Sequence, residues 1–363
     1  MNAPLRLSIV IPTFNERSNI GEMLGRLEAT LGATGWEVTV VDDDSPDQTA
    51  SLVREIARTD PRVRCLQRIG RRGLASACID GMLASAGPVI AVMDADLQHD
   101  ETILPKMLSE IELDNADVVV GTRYAVGGST GDWSRARVVM SRIATTASRV
   151  VLKRDLTDPL SGFFMLRRTV LDAAIHRLSG LGFKILLDIL TAVNGPLRVT
   201  EIPYPFRERV AGESKLDGLV VWEYGLLLAH KRVGRFLPVR FLAFSTVGGV
   251  GVVIHMMTLA VVLKGLPTSF AAAQSVATAT AMVGNFALNN ILTYRDQRLA
   301  GWAWLRGLAT FMIACGIGAI ANIGIATYLF ESRAPWALAG LAGVLVGAVW
   351  NYAVTQIYTW RWR

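Results

Sequence analysis

Pro88-Val89-Ile90-Ala91-Val92-Met93-Asp94-Ala95-Asp96-Leu97-Gln98 decides how this chain is read. An apolar run of this length without alternation reads as a strand buried on both faces, and such strands belong to parallel sheets covered by helices on either side. The run ends in two carboxylates, two residues apart, followed by a side-chain amide. Carboxylate and amide oxygens suit a hard divalent cation such as Mg²⁺ or Mn²⁺, which commonly shares its coordination with substrate phosphates. The same spacing also occurs in solvated acidic turns, so the surroundings must decide.

Those surroundings repeat the pattern. Strand-like runs are expected at residues 5–14, 37–45, 63–67 and 116–123, with helix-period stretches at 19–31, 47–58, 73–86 and 101–113. Alternation of this kind predicts an α/β domain with a mainly parallel sheet. Ligands of such sheets bind beyond the carboxyl ends of the strands. Asn15, Glu16, Asp42, Asp43, Asp44, Asp94, Asp96 and Arg123 all fall at those ends, so they are expected to share one crevice. In Val41-Asp42-Asp43-Asp44-Ser45-Pro46-Asp47, helix capping accounts for Ser45 to Asp47. It does not account for Asp42 and Asp43, whose adjacent like charges are expected to need a ligand, such as the N–H groups of a nucleobase.

Composition divides the chain. Of its 363 residues, 51% are apolar and 19% charged, and the net charge is +6. Residues 1–237 hold 29 Lys and Arg against 29 Asp and Glu, whereas residues 238–363 hold 8 against 2. A neutral folded domain argues against nucleic acid as a partner. An apolar remainder with basic flanks argues for a membrane domain. Four spans are expected, at 238–263, 270–292, 305–330 and 335–358, each long enough for about 20 residues of helix across the bilayer. Basic residues collect before the first span (Lys231, Arg232, Arg235, Arg240), between the second and third (Arg295, Arg298, Arg306) and in the tail (Arg361, Arg363). That bias predicts a multi-pass protein with the α/β domain and both termini in the cytoplasm. The chain enters its first strand without an apolar export segment, which fits the same expectation. The three cysteines, Cys65, Cys78 and Cys315, lack the spacing of a zinc site.

Several motifs together carry a resemblance. Pro12-Thr13-Phe14-Asn15-Glu16, Val41-Asp42-Asp43, Gly73-Leu74-Ala75-Ser76-Ala77 and Asp94-Ala95-Asp96-Leu97-Gln98-His99 resemble the GT-A glycosyltransferases of family 2. Gly121-Thr122-Arg123-Tyr124, Asp158-Pro159-Leu160-Ser161-Gly162-Phe163 and Arg209-Val210-Ala211-Gly212-Glu213-Ser214-Lys215-Leu216 resemble the dolichol-phosphate mannose synthases and their bacterial polyprenyl-phosphate relatives. The four spans resemble a GtrA-like membrane domain. The resemblance implies a GT-A domain over residues 1–235 and an all-α four-helix transmembrane domain over 236–363, in a cell membrane of bacterial or archaeal type.

It also implies roles. Pro12, Phe14, Glu16, Asp42 and Asp43 are expected around the donor nucleotide, with Ala75, Asp94, Ala95 and Asp96 beside them. Asp94, Asp96 and Gln98 are expected to hold Mg²⁺ or Mn²⁺ on the donor pyrophosphate. The acceptor is expected to be dolichyl or undecaprenyl phosphate. A phosphate is already a nucleophile, which agrees with the absence of a Ser/His/Asp or Cys/His set. Arg123, Arg137, Ser141, Arg209 and Lys215 are expected to clamp it, with Asp96, Arg123 and Arg209 as the catalytic set; a lone arginine here also reads as a surface ion pair. Residues 134–153 read as a basic amphipathic helix able to lie on an anionic membrane, and residues 182–193, with Lys184 and Asp188, as a second interfacial helix; both also read as packed helices of the domain. His99 is expected to follow the metal motif without ligating, and His255, Asn285, Asn289 and Asn290 to link membrane helices.

The expected reaction is inverting transfer of mannose from GDP-mannose to the lipid phosphate. UDP-glucose is the alternative donor. A processive polysaccharide synthase would resemble its relatives in a Gln-x-x-Arg-Trp motif, which is absent. A lipid flippase with a regulatory soluble domain would be expected to show more ionisable residues in its spans.

Overall fold

The computed structural model describes residues 4–129, 135–152, 154–180, 182–207, 218–233, 239–293 and 299–358. The chain forms two compact units, Met1–Phe236 and Leu237–Arg363.

The first unit is built on strands β1 (Leu7–Thr13), β2 (Trp36–Asp42), β3 (Val63–Gln67), β4 (Val89–Val92), β5 (Val118–Thr122), β6 (Phe164–Arg167) and β7 (Val199–Pro203). Its helices are α1 (Arg17–Leu31), α2 (Thr49–Ala57), α3 (Leu74–Ala84), α4 (Leu104–Glu112), α5 (Arg135–Ser148), α6 (Arg168–Ala174), α7 (Ile185–Ala192) and α8 (Gly218–Val233). One sheet runs β3-β2-β1-β4-β6-β5-β7. Only β6 is antiparallel, wedged between β4 and β5. Side chains alternate across the sheet as strand geometry requires. Leu7, Ile9 and Ile11 enter the core beneath α1, α2 and α4, while Val10 enters the core beneath α3 and α7. Pro12 sits inside β1 without breaking the sheet. It pairs with Val41 of β2, and the β1–β4 ladder has already ended at Val10, so its missing N–H falls at a sheet end.

The interfacial reading of residues 182–193 is overturned. Six of the eight residues of α7 are apolar, and all but Thr191 are buried in the core. Asp188 is buried too, accepting from the Ser179 N–H at 2.8 Å and hydroxyl at 2.7 Å and pairing with Lys231 of α8. Such a charge is tolerated only when paired and hydrogen-bonded. In contrast, α5 keeps Val139, Met140 and Ile143 outside, Ile143 at 64% exposure, alongside exposed Arg142.

The second unit consists of α9 (Val239–Gly265), α10 (Phe270–Leu288), α11 (Gly301–Glu331) and α12 (Trp336–Tyr358), with a π-helical turn at Asn289–Thr293. Thr246–Gly265 and Gly301–Glu331 are long and apolar enough to cross a membrane. Outward residues are apolar as well, with Ile313 79% exposed. Polar groups turn inward. Gln274 Nε2 donates to Asn322 Oδ1 at 2.7 Å, joining α10 to α11. Asn290 is bonded twice to the Leu299 backbone rather than to another helix.

Candidate active site

The first wall of the site is the paired ends of β1 and β2. Asn15 turns the chain at φ +61°, a left-handed conformation that asparagine tolerates better than most residues. Its N–H donates to Ser45 Oγ at 2.9 Å, and the Glu16 N–H donates to Thr49 Oγ1 at 3.2 Å. Glu16 also accepts from Asn19 Nδ2 at 2.7 Å. The Phe14 ring lies beneath the Arg72 guanidinium, 4.4 Å from its centroid. Asp44 has φ +56°, the conformation for which glycine or asparagine is favoured.

Asp42 is satisfied without a ligand, contrary to the expectation from its adjacency to Asp43, whereas buried Asp43 Oδ1 has an ion-pair partner but no hydrogen-bond donor. Asp42 accepts from the Ser45 N–H at 3.0 Å, the Ser45 hydroxyl at 2.5 Å and the Thr13 hydroxyl at 3.2 Å, so it braces the turn. Asp43 accepts from the Gly73 N–H at 2.7 Å and faces Arg68 Nη1 at 3.1 Å. Burial pushes its carboxyl above the usual range despite Gly73 and Arg68. Gly73 holds φ +146°, which only glycine adopts readily, and so aims its N–H at Asp43. Arg68 is itself buried and bonds the Gly73 carbonyl and Ser76 Oγ. Ala75, expected beside the donor, has its side chain buried in the core, and its N–H donates to the Gly182 carbonyl. Ala95 is likewise a core residue.

The second wall follows β4. Leu97 adopts φ +62° between Asp96 and Gln98, strain of a kind that clusters at functional sites. Asp96 Oδ1 accepts from the Gln98 N–H at 3.2 Å, and Gln98 Nε2 donates to the Arg207 carbonyl at 3.0 Å. Arg207 is anchored by Asp100 at 2.8 Å and Glu101 at 2.6 Å. Asp96 and Gln98 are nearly buried, whereas the Asp94 side chain is 37% exposed. Burial opposes charge on Asp94, but the His99 hydrogen bond, with Lys184 and Arg123 beyond it, outweighs burial and holds the carboxyl below the usual range. A Cβ on Gly162 would lie 2.9 Å from Asp94 Oδ2, so glycine keeps the space beside that oxygen open. Two hard carboxylates and an amide beside open space fit a divalent cation that takes its remaining ligands from phosphate and water. Among the described residues, no three His, Cys, Asp or Glu side chains converge to hold a cation by themselves.

The third wall lies beyond β5. Arg123 forms a two-pronged pair with buried Asp158, at 2.7 and 2.9 Å. The open phosphate clamp expected at Arg123 is thus an ion pair in the structure. Glu201 bonds the Thr157 and Asp158 N–H groups and fixes that loop. Ser141 accepts from the Tyr124 hydroxyl at 2.6 Å, linking α5 to the segment that follows β5. Arg209 and Lys215 lie outside the described residues, and of Arg137 only the backbone, in α5, is described. Sequence reasoning passed over Arg68, Arg72, Arg207 and Tyr204. Arg207 had a signal, two residues before Arg209, while a buried Arg68 reads locally as an ordinary surface cation.

Comparisons with known proteins agree with this architecture. The glycosyl transferase family 2 model matches residues 8–174, and the GtrA/DPMS transmembrane domain model matches residues 243–360. A dolichol-phosphate mannosyltransferase from Pyrococcus furiosus is 34% identical over 98% of this chain and 99% of that protein. A dolichol-phosphate mannosyltransferase from Saccharomyces cerevisiae is 34% identical, covering 67% of this chain and 92% of its own length. A polyprenol monophosphomannose synthase from Mycolicibacterium smegmatis is 34% identical over 59% and 82%. With its GT-A type α/β unit and apolar helical unit, this chain is a membrane-bound glycosyltransferase of family 2 and belongs with the dolichol-phosphate mannosyltransferases.

Proposed function

We propose that the protein transfers mannose from GDP-mannose to the phosphate of a membrane polyprenol, dolichyl or undecaprenyl phosphate, and yields a β-linked polyprenyl-phosphate mannose. The observation that carries this reading is 34% identity along nearly the full length to a protein named dolichol-phosphate mannosyltransferase. The strand-end crevice supports it chemically. We assign Pro12, Phe14, Glu16 and Asp43 to the border of the nucleoside's place, with Asp42 bracing the turn beneath it. Asp94, Asp96 and Gln98 would hold Mg²⁺ or Mn²⁺, which would supply positive charge to offset that of a departing nucleoside diphosphate.

An acceptor phosphate oxygen attacks the anomeric carbon from the face opposite the diphosphate. The new carbon–oxygen bond forms as the bond to diphosphate breaks, inverting the configuration. The dianion needs no strong base, so the residues around it orient and neutralise. We assign Arg209, Lys215, Arg137 and Ser141 to that task, with Arg123 held in place by Asp158. Residues 1–235 would be the catalytic domain and 236–363 a four-span anchor, with both termini in the cytoplasm.

Membranes carrying the protein are given polyprenyl phosphate, Mg²⁺ or Mn²⁺, and labelled GDP-mannose or UDP-glucose in parallel. Label entering the organic phase from GDP-mannose alone is the expected result. Label from UDP-glucose alone moves the enzyme to glucosyl transfer, and label from neither overturns the reading.

A further inference from the structure

His99 is buried and held at both ring nitrogens. Its Nε2 lies 3.1 Å from Asp94 Oδ2, and its Nδ1 lies 2.7 Å from the Tyr204 hydroxyl. A carboxylate can only accept, so Nε2 carries a hydrogen toward Asp94, and the phenol, which can donate or accept, engages Nδ1. Tyr204 is fully buried and fixed in turn. Its N–H donates to the Thr122 carbonyl at 3.1 Å, and its ring meets Phe163 edge-on at 5.5 Å. Gly121 makes the room: a Cβ there would lie 2.9 Å from the Phe163 ring and 3.1 Å from the Tyr204 ring. Phe163 and Phe206 close on the imidazole, with centroids at 5.1 and 5.7 Å.

We propose that Tyr204 and His99 are positioning residues for Asp94. The phenol holds the imidazole ring in place, the imidazole ties down one Asp94 oxygen, and the still partly exposed carboxylate is presented to the crevice in one orientation. Neither side chain touches the reacting groups. The inference rests on the reading of Asp94 as a cation-holding carboxylate. An outer group that orients a ligating carboxylate is typically worth about 10- to 100-fold in metal affinity. The five-residue step from Asp94 to His99 is local, but the phenol comes from beyond β7, 105 residues after His99.

The test is Mn²⁺ binding to the full-length protein in nanodiscs, followed by the paramagnetic resonance signal of free Mn²⁺ without turnover. Tyr204→Phe keeps the ring and its packing and removes only the hydroxyl. It is expected to raise the Mn²⁺ dissociation constant about 10-fold, with the protein still folded in chelator at the temperature of the measurement. His99→Phe is expected to weaken binding further, and His99→Gln, which still presents an N–H, to recover part of the loss. Asp94→Asn separates the two readings. If Asp94→Asn abolishes binding while Tyr204→Phe binds as the wild type does, the positioning role is overturned and the cation site stands. If Asp94→Asn binds Mn²⁺ with wild-type affinity, the cation site itself falls. Should His99→Phe fail to fold, the Tyr204→Phe measurement still decides.

Discussion

Asp43 and Arg68 show how single residues at this site depend on groups far away in sequence. Replacing Arg68 with Met removes the ion pair at Asp43 Oδ1 and leaves the Gly73 N–H bond at the other oxygen. The expected loss is about 3 kcal/mol, the scale for breaking a buried pair, measured by thermal unfolding. Its pH dependence has a defined sign. The Asp43 carboxyl is raised in the folded protein, so the native state keeps a proton that the unfolded chain releases. The stability linked to it is fully present below the unfolded value of about 3.9 and is lost as pH rises through the folded value. Removing the Arg68 cation raises the folded value further, so the decline in Arg68→Met extends to higher pH than in the wild type. Gly162→Ala tests the other wall. Its new Cβ crowds Asp94 Oδ2, and kcat/KM is expected to fall about 10- to 100-fold with the fold intact, the scale of a small displacement at a reacting centre.

At the scale of elements, the decisive case is α7. Its apolar residues and Lys184 and Asp188 read equally as an interfacial helix or a core helix, because periodicity reports a face and not what covers it. The structure chose the core, and Lys231 of α8 neutralises Asp188 there. Asp188→Asn is expected to destabilise the protein by about 3–5 kcal/mol, since the Lys231 ammonium then stays nearly buried without its counter-charge. A lowered unfolding midpoint and faster proteolysis between α7 and α8 would register it; no change in either would mean that water solvates Lys231. Strands β1 to β5 were legible because Val and Ile runs advertise burial on both faces. Strands β6 and β7 were not. Phe164–Arg167 is four residues long and directly follows a motif, and Val199–Pro203 carries half-buried Thr200 and Glu201 at a sheet edge.

For the whole molecule, the two units have separate cores, so the first should fold without the second. Residues 1–236 expressed alone are expected to transfer sugar to a water-soluble short-chain polyprenyl phosphate. They are expected to lose most activity with a long-chain acceptor in vesicles, because a long apolar tail leaves the bilayer only at about 0.8 kcal/mol per CH₂. Radiolabel counting of both products checks this. Equal loss with both acceptors would show that the apolar unit is required for the fold or the chemistry of the first.

The amino-acid sequence by itself determined the division into a neutral α/β part and an apolar helical part, the strand ends at which Asp43, Asp94 and Asp96 stand, and the resemblance that names the chemistry. These are properties of local pattern: hydrophobic period, breaker residues and short motifs act within a few positions of one another. Only the tertiary structure decided which partner each charge takes. Asp42 goes to Thr13 and Ser45, Asp43 to Gly73 and Arg68, Arg123 to Asp158, and Asp94 through His99 to Tyr204. Those choices follow from strand order and register, which bring residues up to about a hundred positions apart within 3 Å of each other, and a buried charge must take whatever partner that geometry delivers.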